Sequence, residues 1–303
     1  AWNTNPEPSR DYSFADLSSR GFRLNFPNPD WSGHLSYREF GEAYDPALGF
    51  VTRNNFRRVE PRIGYTLRPQ GISWIRQINW STQFRNLTQL DTGILEERQW
   101  EFQPLGVSLA SGDGFNVQVT RTYEFLDRSF TIFDAEILPG DYTNWDYRLF
   151  GRTAGQRKVS LFGGIGWGGF WNGEQSGFNA RVTFRPTPGI SISTNFDHNK
   201  VTLPETEFTA DVYELEGQWN PTPWVSATSQ LQFDNQSEQV GLFARLRWIV
   251  TPGSDLYLVY TQNWLHCVDG IDEEECSPLA MANRDFVTLS RGGSVKLSYT
   301  YRF

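Results

Sequence analysis

The stretch Ser294-Val-Lys-Leu-Ser-Tyr-Thr-Tyr-Arg-Phe303 alternates without a break. Val295, Leu297, Tyr299, Tyr301 and Phe303 fall on one side; Lys296, Ser298, Thr300 and Arg302 fall on the other. A period of two sends successive side chains to opposite faces of a strand, so this segment predicts a β-strand between an apolar and a polar environment. Two architectures supply that pair. In a soluble sandwich the apolar face meets a core and the polar face meets water. In a transmembrane barrel the apolar face meets lipid and the polar face lines the lumen.

Composition narrows the choice. The 303 residues are 38% hydrophobic, with a mean hydropathy of −0.51, and no run of apolar residues is long enough for a helical span. Aromatic residues make up 16%, with 12 Trp, 12 Tyr and 23 Phe against one Met and two Cys. Aromatic loading in a polar chain fits a barrel, whose strands are polar at alternate positions and whose Trp and Tyr gather at the lipid interfaces. The net charge of −8 argues against a nucleic-acid partner. Residue 1 is Ala rather than Met and no signal peptide is visible, so the chain is expected to be processed or part of a longer one.

Residues 1–17 lack a period and read as a loop, or as the stub of an upstream strand at Ala1-Trp2. From residue 18 one unit repeats, a strand and then a turn. Strands are predicted over 18–26, 31–40, 57–68, 72–87, 95–109, 115–126, 142–152, 158–170, 176–185, 190–197, 209–219, 224–234, 239–250, 255–264 and 294–303. Bulges are expected where Arg76 falls out of phase and where Leu105, Val107 and Leu109 switch parity relative to Trp100 and Phe102. The connections sort by parity. Those at 27–30, 69–71, 111–114, 153–156, 186–189, 220–223 and 251–254 are short and mostly rich in Pro and Gly. Those at 41–56, 88–94, 127–141, 171–175, 198–208, 235–238 and 265–293 are mostly longer. Tight periplasmic turns facing larger extracellular loops produce this alternation, whereas a sandwich has no reason for it.

The reading is therefore an all-β, antiparallel transmembrane β-barrel of about fifteen visible strands over 18–303, with its C-terminus periplasmic. Parity places the segment before strand 18–26 outside the cell. A closed barrel then needs an upstream strand, and 16 or more strands are expected in the complete protein.

Several motifs carry a resemblance. The aromatic end Tyr299, Tyr301 and Phe303 resembles the sorting signal that barrel-insertion machinery reads in bacterial outer-membrane proteins. Longer matches are Ser36-Tyr-Arg-Glu-Phe-Gly41, Tyr44-Asp-Pro-Ala-Leu-Gly-Phe-Val-Thr-Arg53, Pro104-Leu-Gly106, Val119-Thr-Arg-Thr-Tyr-Glu124, Pro139-Gly-Asp-Tyr142, His198-Asn-Lys-Val201, Leu231-Gln-Phe-Asp-Asn235, Ala244-Arg-Leu-Arg-Trp248 and Asp255-Leu-Tyr-Leu-Val-Tyr260. From Trp31 onward the chain resembles the C-terminal barrel domain of an outer-membrane family of unknown function, whose members carry an N-terminal module resembling family 9 carbohydrate-binding domains. No stretch of these 303 residues resembles that module, which agrees with the expectation that the chain is part of a longer one. The resemblance implies an outer-membrane location, with lipid and lipopolysaccharide around the barrel and a periplasmic or surface module or assembly as a partner. It brings no catalytic residues and no cofactor.

Period assigns Arg62, Arg68, Asp146, Arg148, Arg152, Arg181, Arg185, Glu214, Glu216, Arg245, Arg247, Lys296 and Arg302 to the lumen, because charge on the lipid face is costly near the midplane. One reading is a pore biased toward anions; the other is a structural ladder that fills the barrel. Gly164, Gly166 and Gly168 are expected on the inner face as close-packing positions, approached by loop 41–56 folded inward with Leu48, Gly49 and Phe50 as its plug. Cys267 and Cys276 in the 265–293 loop predict a disulfide in an oxidising compartment. The acidic residues between them, Asp269, Asp272, Glu273, Glu274 and Glu275, read as a solvated loop or as ligands for a divalent cation, although their spacing fits no calcium-loop pattern. Asp197-His198 at a strand end is the one constellation with catalytic precedent. With three His and no nucleophile elbow or His-Glu-x-x-His motif, no enzyme is expected.

The functional expectation is a passive pore or uptake component for small polar or saccharide-like solutes. The alternative is a non-conducting barrel that anchors a binding module or a larger assembly.

Overall fold

The computed structural model describes residues 11–46, 49–132, 135–268 and 276–301. Ala1, Trp2, Leu48, Asp269, Asp272, Glu273, Glu274, Glu275, Arg302 and Phe303 lie outside the described residues.

The chain runs β1 (Ser19–Phe26), β2 (Trp31–Phe40), β3 (Phe56–Leu67), β4 (Ile75–Gln89), β5 (Leu95–Leu109), β6 (Gly114–Leu126), β7 (Phe130–Ile132), β8 (Ala135–Ile137), β9 (Gly140–Arg152), β10 (Val159–Phe170), β11 (Gly173–Phe184), β12 (Ile190–Thr202), β13 (Glu207–Thr222), β14 (Val225–Asp234), β15 (Gln239–Thr251), β16 (Ser254–His266), α1 (Pro278–Asn283) and β17 (Phe286–Ser298). Fifteen of these strands form one antiparallel up-and-down sheet in chain order, β6 being followed by β9 because β7 and β8 pair only with each other. No pairing joins β1 to β17 among the described residues. By contact the chain divides into two compact units. The first comprises residues 1–150, 166–175 and 201–206; the second comprises 151–165, 176–200 and 207–303.

Two of the bulges fall where phase is lost. Register shifts occur between Ile75 and Gln77, beside Arg76, and between Phe102 and Leu105. Four of the short connections turn on glycines with positive φ, Gly71, Gly112, Gly189 at 83° and Gly253 at 89°, a conformation that residues with a Cβ rarely adopt.

The predicted final strand is shifted. It begins at Phe286 and ends at Ser298 rather than spanning 294–303. Leu265 and His266 carry the β16 ladder onward to Val287 and Phe286, and Gly292-Gly293 interrupt the alternation that would have revealed this pairing. Beyond Ser298, Thr300 turns onto the preceding connection, its amide donating to Ser254 Oγ at 3.0 Å and its hydroxyl to the Gly253 carbonyl at 2.5 Å. The 265–293 loop accordingly shrinks to 267–285. Strand extension likewise shortens the 171–175 and 198–208 connections to 171–172 and 203–206, so the contrast in loop length rests mainly on 41–55, 127–139 and 267–285.

Burial is inverted relative to a water-soluble sandwich. In the first unit the apolar face of β1 to β3 leaves Phe22, Leu24, Phe26, Leu35, Ile63 and Leu67 exposed. In the second, Leu215, Trp219, Trp248, Leu258 and Tyr260 are exposed on the corresponding face. Aromatic rings pair across strands there, as in Phe196 stacked on Tyr213 at 4.6 Å. Buried apolar side chains instead collect beside the connections: Tyr44, Phe56, Leu87, Ile137, Val201 and Leu203 in the first unit, and Leu265 with Cys267 and Cys276 in the second.

Candidate functional site

The polar face of the second unit is a bonded lattice. Alternation on β11 and β13 brings Arg181 beside Glu216, with Nη2 donating to Oε2 at 2.7 Å, and Gln218 Nε2 donates to the other carboxylate oxygen at 2.6 Å. Glu214 accepts from Gln230 Nε2 at 3.0 Å. Arg185 donates to Ser160 Oγ at 2.9 Å, and the buried hydroxyls of Thr183 and Ser193 lie 3.0 Å apart. Arg247 pairs with Asp255 at 3.0 Å and lies over the Tyr257 ring. Arg245 stands opposite Thr228 and Val259 in the ladder, with no ion-pair partner among the described residues. Lys296 is the register neighbour of Tyr257.

Along this face, β14, β15 and β16 shape a pocket of about 370 Å³. Its wall is mostly amide and hydroxyl: Gln230, Gln232, Gln239, Asn263 and Thr261, with Asp234 at one end and Phe243 as the aromatic surface. Gly241 keeps the floor low; a Cβ there would lie 3.2 Å from Asn263 Oδ1. Uncharged donors and acceptors beside a ring suit a ligand that presents hydroxyls along one edge and C–H groups on a face. Gln232 and Asp234 fall in the Leu231–Asn235 motif, but neither they nor the other pocket residues carry a site role in the sequence reading. The available signal was the run of Gln at alternate positions, Gln230, Gln232 and, across the turn, Gln239.

In the first unit the polar face centres on Glu60. Arg58 Nε and Arg85 Nε each lie 3.6 Å from its Oε2, and His34 Nε2 lies 3.7 Å from Oε1. Arg85 also reaches Glu97 at 3.4 Å. These residues continue the face of Arg62, and the Arg58-x-Glu60-x-Arg62 alternation was a legible but unused sign of it.

The other predicted positions are placed as follows. Arg68 bonds Asp30 at 2.9 Å and the Pro29 carbonyl at 3.0 Å, stitching the β1–β2 turn to the end of β3. Asp146 accepts from Gln175 Nε2 at 2.7 Å. Arg148 and Arg152 lie on β9, and Gly164, Gly166 and Gly168 on β10. The space at Gly168 is taken by the β9 backbone at Trp145 and Asp146, whereas a Cβ at Gly166 would make ordinary contact with Arg148 and Tyr147. In the 41–55 connection Phe50 is 86% exposed, and the buried side chain is Tyr44 at 7%; a Cβ on Gly49 would meet only Pro46. Tyr299 and Tyr301 follow the last strand and are exposed.

Cys267 and Cys276 form a disulfide with Cα atoms 5.8 Å apart. Both are fully buried against Leu265, with Ala280, Met281, Val287 and Leu289 packed around them. His198 pairs with Asp211, Nδ1 to Oδ1 at 2.6 Å, while the adjacent Asp197 accepts from Asn195 at 2.7 Å. His266 pairs with Glu238 at 2.8 Å, so each histidine has a carboxylate beside it. No group of three or more metal-ligating side chains converges among the described residues.

No family model matches this chain, and no curated protein matches it.

Proposed function

We propose that this chain is the wall of a bacterial outer-membrane β-barrel that passes small polar or saccharide-like solutes along its polar face. The observation that carries the reading is the pocket of about 370 Å³ lined by Gln230, Gln232, Gln239, Asn263 and Phe243, set in a bonded charged lattice. Behind it stands the exposed apolar face, which water would penalise by about 25 cal/mol per Å² and lipid would not. The motif resemblance described above supports the same location, with the C-terminus in the periplasm and lipid and lipopolysaccharide against the apolar face.

A second reading has its own support. Tyr44, Phe56, Leu87, Ile137 and Leu203 are buried beside the long connections of the first unit, which favours a closed barrel that anchors a module or assembly. Planar-bilayer recording separates the two. A pore gives discrete current steps that a neutral oligosaccharide attenuates, and Gln232→Ala weakens that block. Absence of current from the intact chain, and again after deletion of residues 41–56, would reject the pore in favour of the anchor.

A further inference from the structure

The first unit carries charge where its apolar face should have none. Arg20, Glu39 and Arg57 are direct register neighbours across β1, β2 and β3, on the same side as Phe22, Tyr37 and Val59. Arg20 Nε donates to Glu39 Oε2 at 2.7 Å and Arg57 Nε donates to Oε1 at 3.0 Å. The Tyr37 hydroxyl donates to the same carboxylate. Glu39 is only 8% exposed, whereas the arginine side chains are 51% and 49% exposed. The carboxylate thus sits at the centre as an orienting group, and the cluster retains one net positive charge in a chain of net charge −8.

Its depth can be read along the strand. On this face Trp31 and Tyr65 pack together at 4.7 Å at the short-turn end, as an interfacial aromatic pair would. From Tyr65 to Arg57 the strand rises about 26 Å at about 3.3 Å per residue. At a tilt of about 40° that spans about 20 Å of membrane, close to the height of a barrel's apolar band. The cluster therefore lies at the opposite head-group level, beside the 41–55 connection. An arginine there costs little in lipid, and the guanidinium geometry matches phosphate oxygens.

We propose that Arg20 and Arg57, oriented by Glu39, form a seat for the phosphate group of a membrane glycolipid packed against the apolar face of β1 to β3. The seat rests on the membrane reading given above, and its test separates the two. The full chain is inserted into phosphatidylcholine vesicles, with insertion scored by protease protection, and its binding of diphosphorylated lipid A is measured beside the dephosphorylated lipid and inorganic phosphate. The wild type is expected to favour the phosphorylated lipid over both. Arg20→Gln/Arg57→Gln is expected to lose at least about tenfold in affinity for it. Arg57→Gln alone, which leaves the Arg20–Glu39 pair intact, carries the comparison if the double variant does not fold. Equal binding of phosphorylated and dephosphorylated lipid, or inserted variants that bind within about twofold of wild type, would overturn the seat alone. Binding of inorganic phosphate as tight as that of the lipid would reassign it to a soluble anion. A wild-type chain that does not insert would overturn the membrane reading and the seat together.

Discussion

Gly166 and Gly168 occupy the same face of β10, yet an added methyl group would meet different surroundings at the two positions. A Cβ on Gly168 falls 2.3 Å from the Trp145 carbonyl oxygen, 2.8 Å from Asp146 Cα and 2.9 Å from Asp146 Oδ1. At Gly166 the nearest atoms are Arg148 Cγ at 3.4 Å and the Tyr147 carbonyl oxygen at 3.6 Å, which are ordinary contacts. Where the backbone accepts it, replacing Gly by Ala removes freedom from the unfolded chain and stabilises by about 0.5–1 kcal/mol. Gly166→Ala is therefore expected to be neutral or to gain that amount. Gly168→Ala has the same gain but must push β9 and β10 apart, since the nearest obstructing atoms are backbone and cannot rotate away. Overpacking of this kind costs about 1–3 kcal/mol. The shared gain cancels, so the gap between the two variants is about 1–3 kcal/mol, from about fivefold to about a hundredfold in the folding equilibrium. Urea unfolding of the vesicle-reconstituted protein, followed by tryptophan fluorescence, measures it. Two variants within about 0.5 kcal/mol of each other, or Gly166→Ala the weaker, would refute the close-approach argument.

Two further outcomes are expected. Cys267→Ala/Cys276→Ala opens a loop of sequence separation 9, so loop-closure entropy gives a loss of about 2–3 kcal/mol for the 267–285 segment; faster amide exchange at Val287 and Leu289 under mild denaturant would register it, and unchanged exchange would count against it. Ser277→Ala removes the hydroxyl that accepts from the Ala280 amide at 3.2 Å, weakening α1 by about 1 kcal/mol; the Ala280 amide should exchange faster while the β16–β17 ladder keeps its protection.

Much of the fold was legible because a strand exposed to two environments writes its geometry into every second residue. Arg58, Glu60 and Arg62 alternate with Val59, Pro61 and Ile63, and β3 follows. The Arg76 and Leu105 phase breaks located bulges for the same reason. Legibility failed where side chains no longer report the face. Gly292-Gly293 hid the first half of β17, and capture of Thr300 by Ser254 and Gly253 ended that strand before the alternation did.

For the terminal stretch 294–303, then, sequence by itself determined that Val295 and Leu297 share one face and Lys296 the other, because peptide geometry alone imposes that alternation. Only tertiary structure decided which strand it meets, where it stops, and that His198 answers to Asp211 rather than Asp197. It also decided that Gln230, Gln232, Gln239 and Asn263 wall a single pocket. Register between strands depends on bonds among residues far apart in the chain, and a period of two holds no record of which partner lies opposite.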